Sequence, residues 1–236
     1  MSNDILTLQQ FYNSKLGRIF ETEIAKQIQA LWPNTKGEKI LGIGYCLPYL
    51  IPYYHESERI IYAMPAHQGI MSWPPSEDTN SATLVYENSL PFDGSSFDKI
   101  LVVHAFEESR TAQQLLKELW RTLKENGRLI IIVPNRHGIW AQSEHTPLGY
   151  SHPYTMSQLQ SILHRASFTT LNAIHCLYSI PSNNKAGTYL SPALKYIGPL
   201  LLTRFSGALC VQATKQVITI SRTHAVNPKP SPVATS

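Results

Sequence analysis

A chain of 236 residues with 43% hydrophobic and 15% charged side chains is long enough to bury one sizeable core, so one main domain with a small accessory region is expected. The formal charge of +4, from 20 basic and 16 acidic residues, is not gathered into runs of Lys and Arg, which argues against a nucleic-acid partner. Cys46, Cys176 and Cys210 lack the short spacing of a zinc or redox motif, no basic-then-apolar start is present, and no stretch approaches the roughly 18 apolar residues of a membrane span. These features predict a soluble, cytoplasmic protein without a membrane partner.

From Leu6 to Leu31 apolar residues recur at helical spacing, closed by Pro33 and Gly37, so residues 1–36 form an N-terminal helical cap. Lys39 to Gly44 (KILGIG) and Arg59 to Met64 (RIIYAM) are short apolar runs of the kind buried in a parallel sheet. Thr83 to Tyr86 is a third strand and Asp98 to His104 (DKILVVH) a fourth. An amphipathic helix from about Arg110 to Leu123 follows, with Asn126-Gly127 as a left-handed stop, and Arg128 to Val133 is the fifth strand. Thr155 N-caps another helix to Ala166, and Phe168 to Ile180 and Ala208 to Ala213 are the last two strands, read as a hairpin. Alternating strands and helices predict an open α/β sheet over residues 37–222, with a lid-like insertion at about 135–154 and a disordered Pro-rich tail at 223–236.

The order acidic residue, Leu90-Pro91-Phe92, Phe97-Asp98 before an apolar strand, amphipathic helix, then Asn126-Gly127-Arg128-Leu129 before another strand resembles the second half of the class I S-adenosylmethionine-dependent methyltransferase domain. The resemblance covers roughly residues 37–215 and is nearest to small-molecule methyltransferases with the Leu-Pro-Phe and Phe-Asp signature. It implies a Rossmann-like seven-stranded sheet, mostly parallel with an antiparallel last strand and helices on both faces. S-adenosyl-L-methionine would lie across the carboxyl ends of the first strands.

The cofactor positions that the resemblance implies are Gly42, Gly44, Tyr45, Met64, Glu87 and Asn88. The family pattern after the first strand is acidic-x-Gly-x-Gly-x-Gly. Here Gly42 takes the acidic position, Gly44 matches a glycine, and Cys46 and Pro48 replace the other two. Pro48 has no N–H but suits a first helical turn, and Pro52 should cut that helix short. At the end of the second strand, where the family places a ribose-binding carboxylate, Met64 stands in a segment with no acid. Glu87, with Asn88 beside it, precedes Leu-Pro-Phe in the manner of the family's adenine-binding acid; as bland alternatives both are turn residues. Asp98 is expected to be structural.

Candidates for chemistry lie beyond the fourth and fifth strands. His104 ends its strand and is followed by Glu107 and Glu108, while His137, Trp140, Glu144, His145, Tyr150 and His152 fall in the long segment after Pro134. Methyl transfer needs positioning, water exclusion and sometimes a base, a role open to His104, His137 or His152. The histidines lack metal-site spacing, so no metal is expected. Phe11, Tyr12 and Phe20 on the first helical segment either cover the cofactor or pack on the core. Two functions follow: methyl transfer to a small-molecule acceptor, or a methyltransferase-fold protein that has lost cofactor binding and works as a regulatory or partner-binding module. The oligomeric state is open.

Overall fold

Seven strands form one sheet in the order β3-β2-β1-β4-β5-β7-β6. They are β1 (Lys39–Gly44), β2 (Arg59–Pro65), β3 (Ala82–Val85), β4 (Phe97–Val103), β5 (Leu123–Pro134), β6 (Phe168–Cys176) and β7 (Ala208–Lys215). This computed structural model describes residues 3–73, 80–144, 146–181 and 203–216. The expected tail at 223–236, the end of the 37–222 unit and His145 lie outside the described residues.

β1 to β5 run parallel, and β7 runs antiparallel to both β5 and β6. The seven-stranded, mostly parallel sheet with an antiparallel last strand is therefore the architecture the sequence predicts. Alternate residues of each central strand enter two cores, as a sheet covered on both faces requires. Ile40, Tyr62, Leu101 and Ile130 face one core, which also takes α1 (Ile5–Asn13), α2 (Lys15–Leu31) and the single turn α3 (Leu47–Leu50). Leu41, Ile43, Ile100 and Ile131 face the other, with α4 (Ala112–Thr122) and, beyond the single turn α5 (Pro147–Tyr150), α6 (Met156–Arg165).

The N-terminal segment is two helices rather than one. Ser14 ends α1 and caps α2, its hydroxyl accepting from the Gly17 N–H, and a Cβ at Gly17 would stand 1.9 Å from the Phe11 carbonyl oxygen. Helix α3 is short, as Pro48 and Pro52 predict, and leads into a 3-10 turn at Ile51–Tyr53. Thr155 caps α6 in a full capping box with Gln158.

The expected stop at Asn126-Gly127 is corrected. Helix α4 ends at Thr122 with Leu123 already extended, because Leu123 is buried and pairs with Phe97. Gly127 is not at positive φ; its missing side chain makes room for Leu123, whose Cδ1 would stand 2.6 Å from a Cβ there. Asp98 is structural as expected, accepting the Lys39 N–H and pairing with Lys124. The Leu90-Pro91-Phe92 turn is clamped from α4, where Glu118 accepts the Leu90 N–H and Arg121 donates to the carbonyls of Leu90 and Phe92.

The segment 135–154 is anchored by Trp140 and Leu148, both buried, and Asn135 bridges to Tyr154. No helix among the described residues is long and apolar enough to cross a membrane.

Candidate functional site

The N-terminal residues strap across the carboxyl edge of the sheet. The Asn3 amide donates to the Pro147 carbonyl and to Glu108, and Ile5 N–H donates to the Gln68 carbonyl just beyond β2. The strap divides the edge into a closed crevice between β1 and β4 and an open cavity over the ends of β2, β3 and β4.

The closed part is filled by the chain itself. A Cβ on Gly42 would stand 2.5 Å from Leu50 Cδ1, and one on Gly44, at φ +83, 2.2 Å from the Val103 carbonyl oxygen. Glycine is therefore required here by the neighbouring strand and by α3, whatever ligand is present. Tyr45 N–H donates to that same Val103 carbonyl, and the Cys46 thiol donates to the carbonyls of Ile43 and Leu101. Burial holds that thiol well above its ordinary pKa, so it is protonated.

Over this turn pack Tyr12 from α1, Phe20 from α2 and Tyr49 from α3. Tyr12 lies on Tyr45 with ring centroids 4.6 Å apart, and Phe20 stacks on His104 at 5.5 Å. The Tyr49 and Tyr12 hydroxyls are 2.8 Å apart, Tyr12 Oη is 3.1 Å from His104 Nε2, and His104 Nδ1 is 3.4 Å from Glu107 Oε1. Burial pushes both phenols well above their ordinary pKa, so each keeps its proton. A Tyr12 O–H donating to Nε2 leaves the His104 proton on Nδ1, facing Glu107. The hydrogen-bonded run Tyr49, Tyr12, His104 is thus enclosed, and it ends at His104 Nδ1, which is buried without a hydrogen-bond partner beside Glu107. His104 is 1% exposed and sits just past β4 at φ +53.

The open part is a cavity of about 790 Å³ whose lining includes His67, Glu87, Asn88, Glu107, Glu108 and His152. Glu87, raised in pKa by burial, accepts the Ser109 hydroxyl at 2.7 Å on Oε2, while its buried Oε1 has no partner. Glu108 is pushed up to about 7 by burial and by the neighbouring Glu107. Asn3 and Gln68 donate to it, and His67 Nε2 lies 3.9 Å away.

The structure brings together Glu87, Asn88 and His152 of the sequence candidates. Gly42, Gly44, Tyr45, Met64 and His104 lie in the closed crevice or beneath it, Met64 wholly inside the core shared with α1 and α2. His137 stands apart, exposed, its N–H donating to the Asn135 side chain. Among the described residues no group of three or more His, Cys, Asp or Glu could hold a metal.

Sequence reading passed over Asn3, His67, Gln68 and Ser109. His67 and Gln68 stand directly after the second strand, where position alone marks them; Asn3 gave no signal.

The sheet order and the glycine turn after β1 define the class I S-adenosylmethionine-dependent methyltransferase fold, and this chain has that fold. Residues 77–131, spanning β3 to β5, match the family described as Methyltransferase domain. No curated protein matches the chain significantly.

Three solved structures show the likeness. A Thermotoga maritima SAM-dependent methyltransferase, described as a possible histamine N-methyltransferase, is 16% identical, with 88% of this chain and 94% of that chain covered at a TM-score of 0.64. A chain from the complex of the Haloferax volcanii Trm112 methyltransferase activator with a methyltransferase is 14% identical, with 89% and 97% covered at 0.63. The [4+2]-cyclase SpnF is 15% identical, with 82% and 80% covered at 0.56.

The residues that would hold S-adenosylmethionine are divided between the two parts. Glu87 and Asn88 border a cavity with room for its nucleoside, and the orphaned Glu87 oxygen is an acceptor for an amino group. Tyr12 covers Tyr45, Leu50 closes on Gly42 and Met64 is fully buried, so a ligand reaching these residues fits only with α1 displaced.

Proposed function

We propose that the chain transfers a methyl group from S-adenosylmethionine to a small-molecule acceptor. The observation that carries this reading is the cavity over β2, β3 and β4, because ligands of open α/β sheets bind beyond the carboxyl ends of the strands. Bound there, the cofactor supplies an electrophilic methyl on a sulfonium. Glu87 and Asn88 hold its adenine, and α1 moves aside to admit the remainder. Glu107, Glu108 and His152 border the same cavity and hold the acceptor. His104 serves as a base only after Tyr12 releases Nε2, which ties proton removal to the movement of α1.

Calorimetric titration with S-adenosylmethionine and S-adenosylhomocysteine tests the reading, with saturable binding of both expected. No binding of either at millimolar concentration would sink it. Glu87→Ala should weaken binding by about 1 to 3 kcal/mol through loss of a buried acceptor. An unchanged dissociation constant would remove Glu87 from the site.

A second reading, a methyltransferase-fold protein without the cofactor, is favoured by the Tyr12 network that fills the crevice. The cyclase among the structural neighbours supports keeping fold and reaction separate. In this reading Tyr12→Ala, which opens the crevice, leaves the protein unable to bind either nucleoside. In the first reading it tightens binding.

A further inference from the structure

The open cavity has an imbalance of charge and of hydrogen-bonding partners. Three carboxyl side chains, Glu87, Glu107 and Glu108, line it with one guanidinium, that of Arg110, and two imidazoles, His67 and His152, of which His67 Nε2 lies 3.9 Å from Glu108. Glu107 is only 4% exposed, and its Oε2 has no partner although Oε1 faces His104. Glu87 Oε1 is likewise buried and unmatched. Gln68 spends its amide N–H groups on the His104 carbonyl and Glu108, leaving its own Oε1 unmatched.

The unmet requirement is thus for donors. A buried carboxylate oxygen without a partner is costly, and donors on a cation answer it best. An anionic ligand would add acceptors where acceptors are already in excess. A neutral alcohol would supply one donor and leave the charge unbalanced. An ammonium carries three donors and the opposite charge. Tyr86 and Tyr150, both largely exposed, flank the cavity and offer ring surface to the apolar part of a ligand.

We propose that this cavity binds a small organic ammonium ion, its nitrogen held by Glu107 and Glu108 and its apolar body against Tyr150. The inference rests on the reading above only in naming an acceptor class for it. Binding itself needs no cofactor, so the two fail separately.

The test is calorimetric titration of the full chain at pH 8, where Glu108 is ionised, with three probes of one shape: 2-phenylethylammonium, 2-phenylethanol and 3-phenylpropanoate. The ammonium should bind saturably, and the alcohol and carboxylate about tenfold or more weakly, consistent with loss of a charge-assisted bond. Glu107→Gln should weaken the ammonium by about tenfold to a hundredfold while leaving the alcohol unchanged. Glu108→Gln, at a less buried position, should shift the ammonium in the same direction and keeps the test open if Glu107→Gln does not fold.

Equal affinity for ammonium and alcohol overturns the proposal, as does preference for the carboxylate. Undiminished ammonium binding by both Gln variants does the same. Ammonium binding without any binding of S-adenosylmethionine retains the cation site and removes the methyltransferase reading.

Discussion

The two halves of the carboxyl edge solve opposite problems. Between β1 and β4 the hydroxyls of Tyr49 and Tyr12 and Nε2 of His104 are bonded in series, and Phe20, Tyr45 and Leu50 pack around them. Over β2 and β3 the same edge leaves a cavity bordered by carboxylates with unmatched oxygens. A packed aromatic cluster gains from area removed from water, whereas an acidic cavity with orphaned acceptors costs stability until a ligand satisfies it. The closed half is therefore packed as core, whereas the open half keeps buried carboxylate oxygens without partners.

The largest test of that contrast is Phe20→Ala against Glu87→Gln. Phe20 is buried between Tyr12, Trp140 and His104, so its truncation should cost about 3 to 5 kcal/mol, read from urea denaturation. Glu87→Gln should change stability by less than about 1 kcal/mol, since the wild-type oxygen is already unmatched. Comparable losses in the two variants would erase the distinction between the halves.

The fold was legible because its signals are local. Apolar runs such as KILGIG and RIIYAM, the periodic face of Leu115, Leu116 and Leu119, and the Thr155 cap each act within a few residues, and each element stands where its pattern places it. The break at Ser14 was hidden because helical periodicity continues across it, and only the caps and the contact of Gly17 with Phe11 reveal it.

The site was less legible because it depends on pairs far apart in sequence. Asn3 reaches Glu108, and Tyr12 reaches both Tyr49 and His104. No spacing rule connects such residues, so Phe11, Tyr12 and Phe20 could be read either as a cofactor cover or as core. They are core here, and they cover the crevice by being so.

A smaller effect comes from Glu108 in the open half. Burial and Glu107 raise its pKa to about 7 from 4.5, against the opposing influence of Asn3, His104 and Gln68, with His67 also facing it. The folded state then holds this proton more tightly than the unfolded chain does. Its stabilising contribution is complete below pH 4.5 and is lost as pH rises through 7, amounting to about 3 kcal/mol. Glu87, shifted in the same direction, adds to the trend. Denaturation midpoints measured from pH 5 to pH 8 should fall for the wild type and fall much less for Glu108→Gln. Parallel curves for the two proteins would mean that Glu108 is solvated in the free cavity.

The smallest effect separates the two tyrosines of the closed half. Tyr49→Phe removes one hydroxyl at the end of the run and leaves Tyr12 bonded to His104, so the loss should be about 1 kcal/mol. Tyr12→Phe removes the middle hydroxyl and strands both the Tyr49 O–H and His104 Nε2 in a buried place, so it should cost roughly twice as much. The double variant tells whether the run acts as a unit. With Tyr12 already Phe, the Tyr49 hydroxyl has lost its partner, and deleting it should recover stability rather than cost more. Additive losses would show that water reaches the Tyr49 hydroxyl, and hence that the crevice opens often enough without help for a ligand to enter.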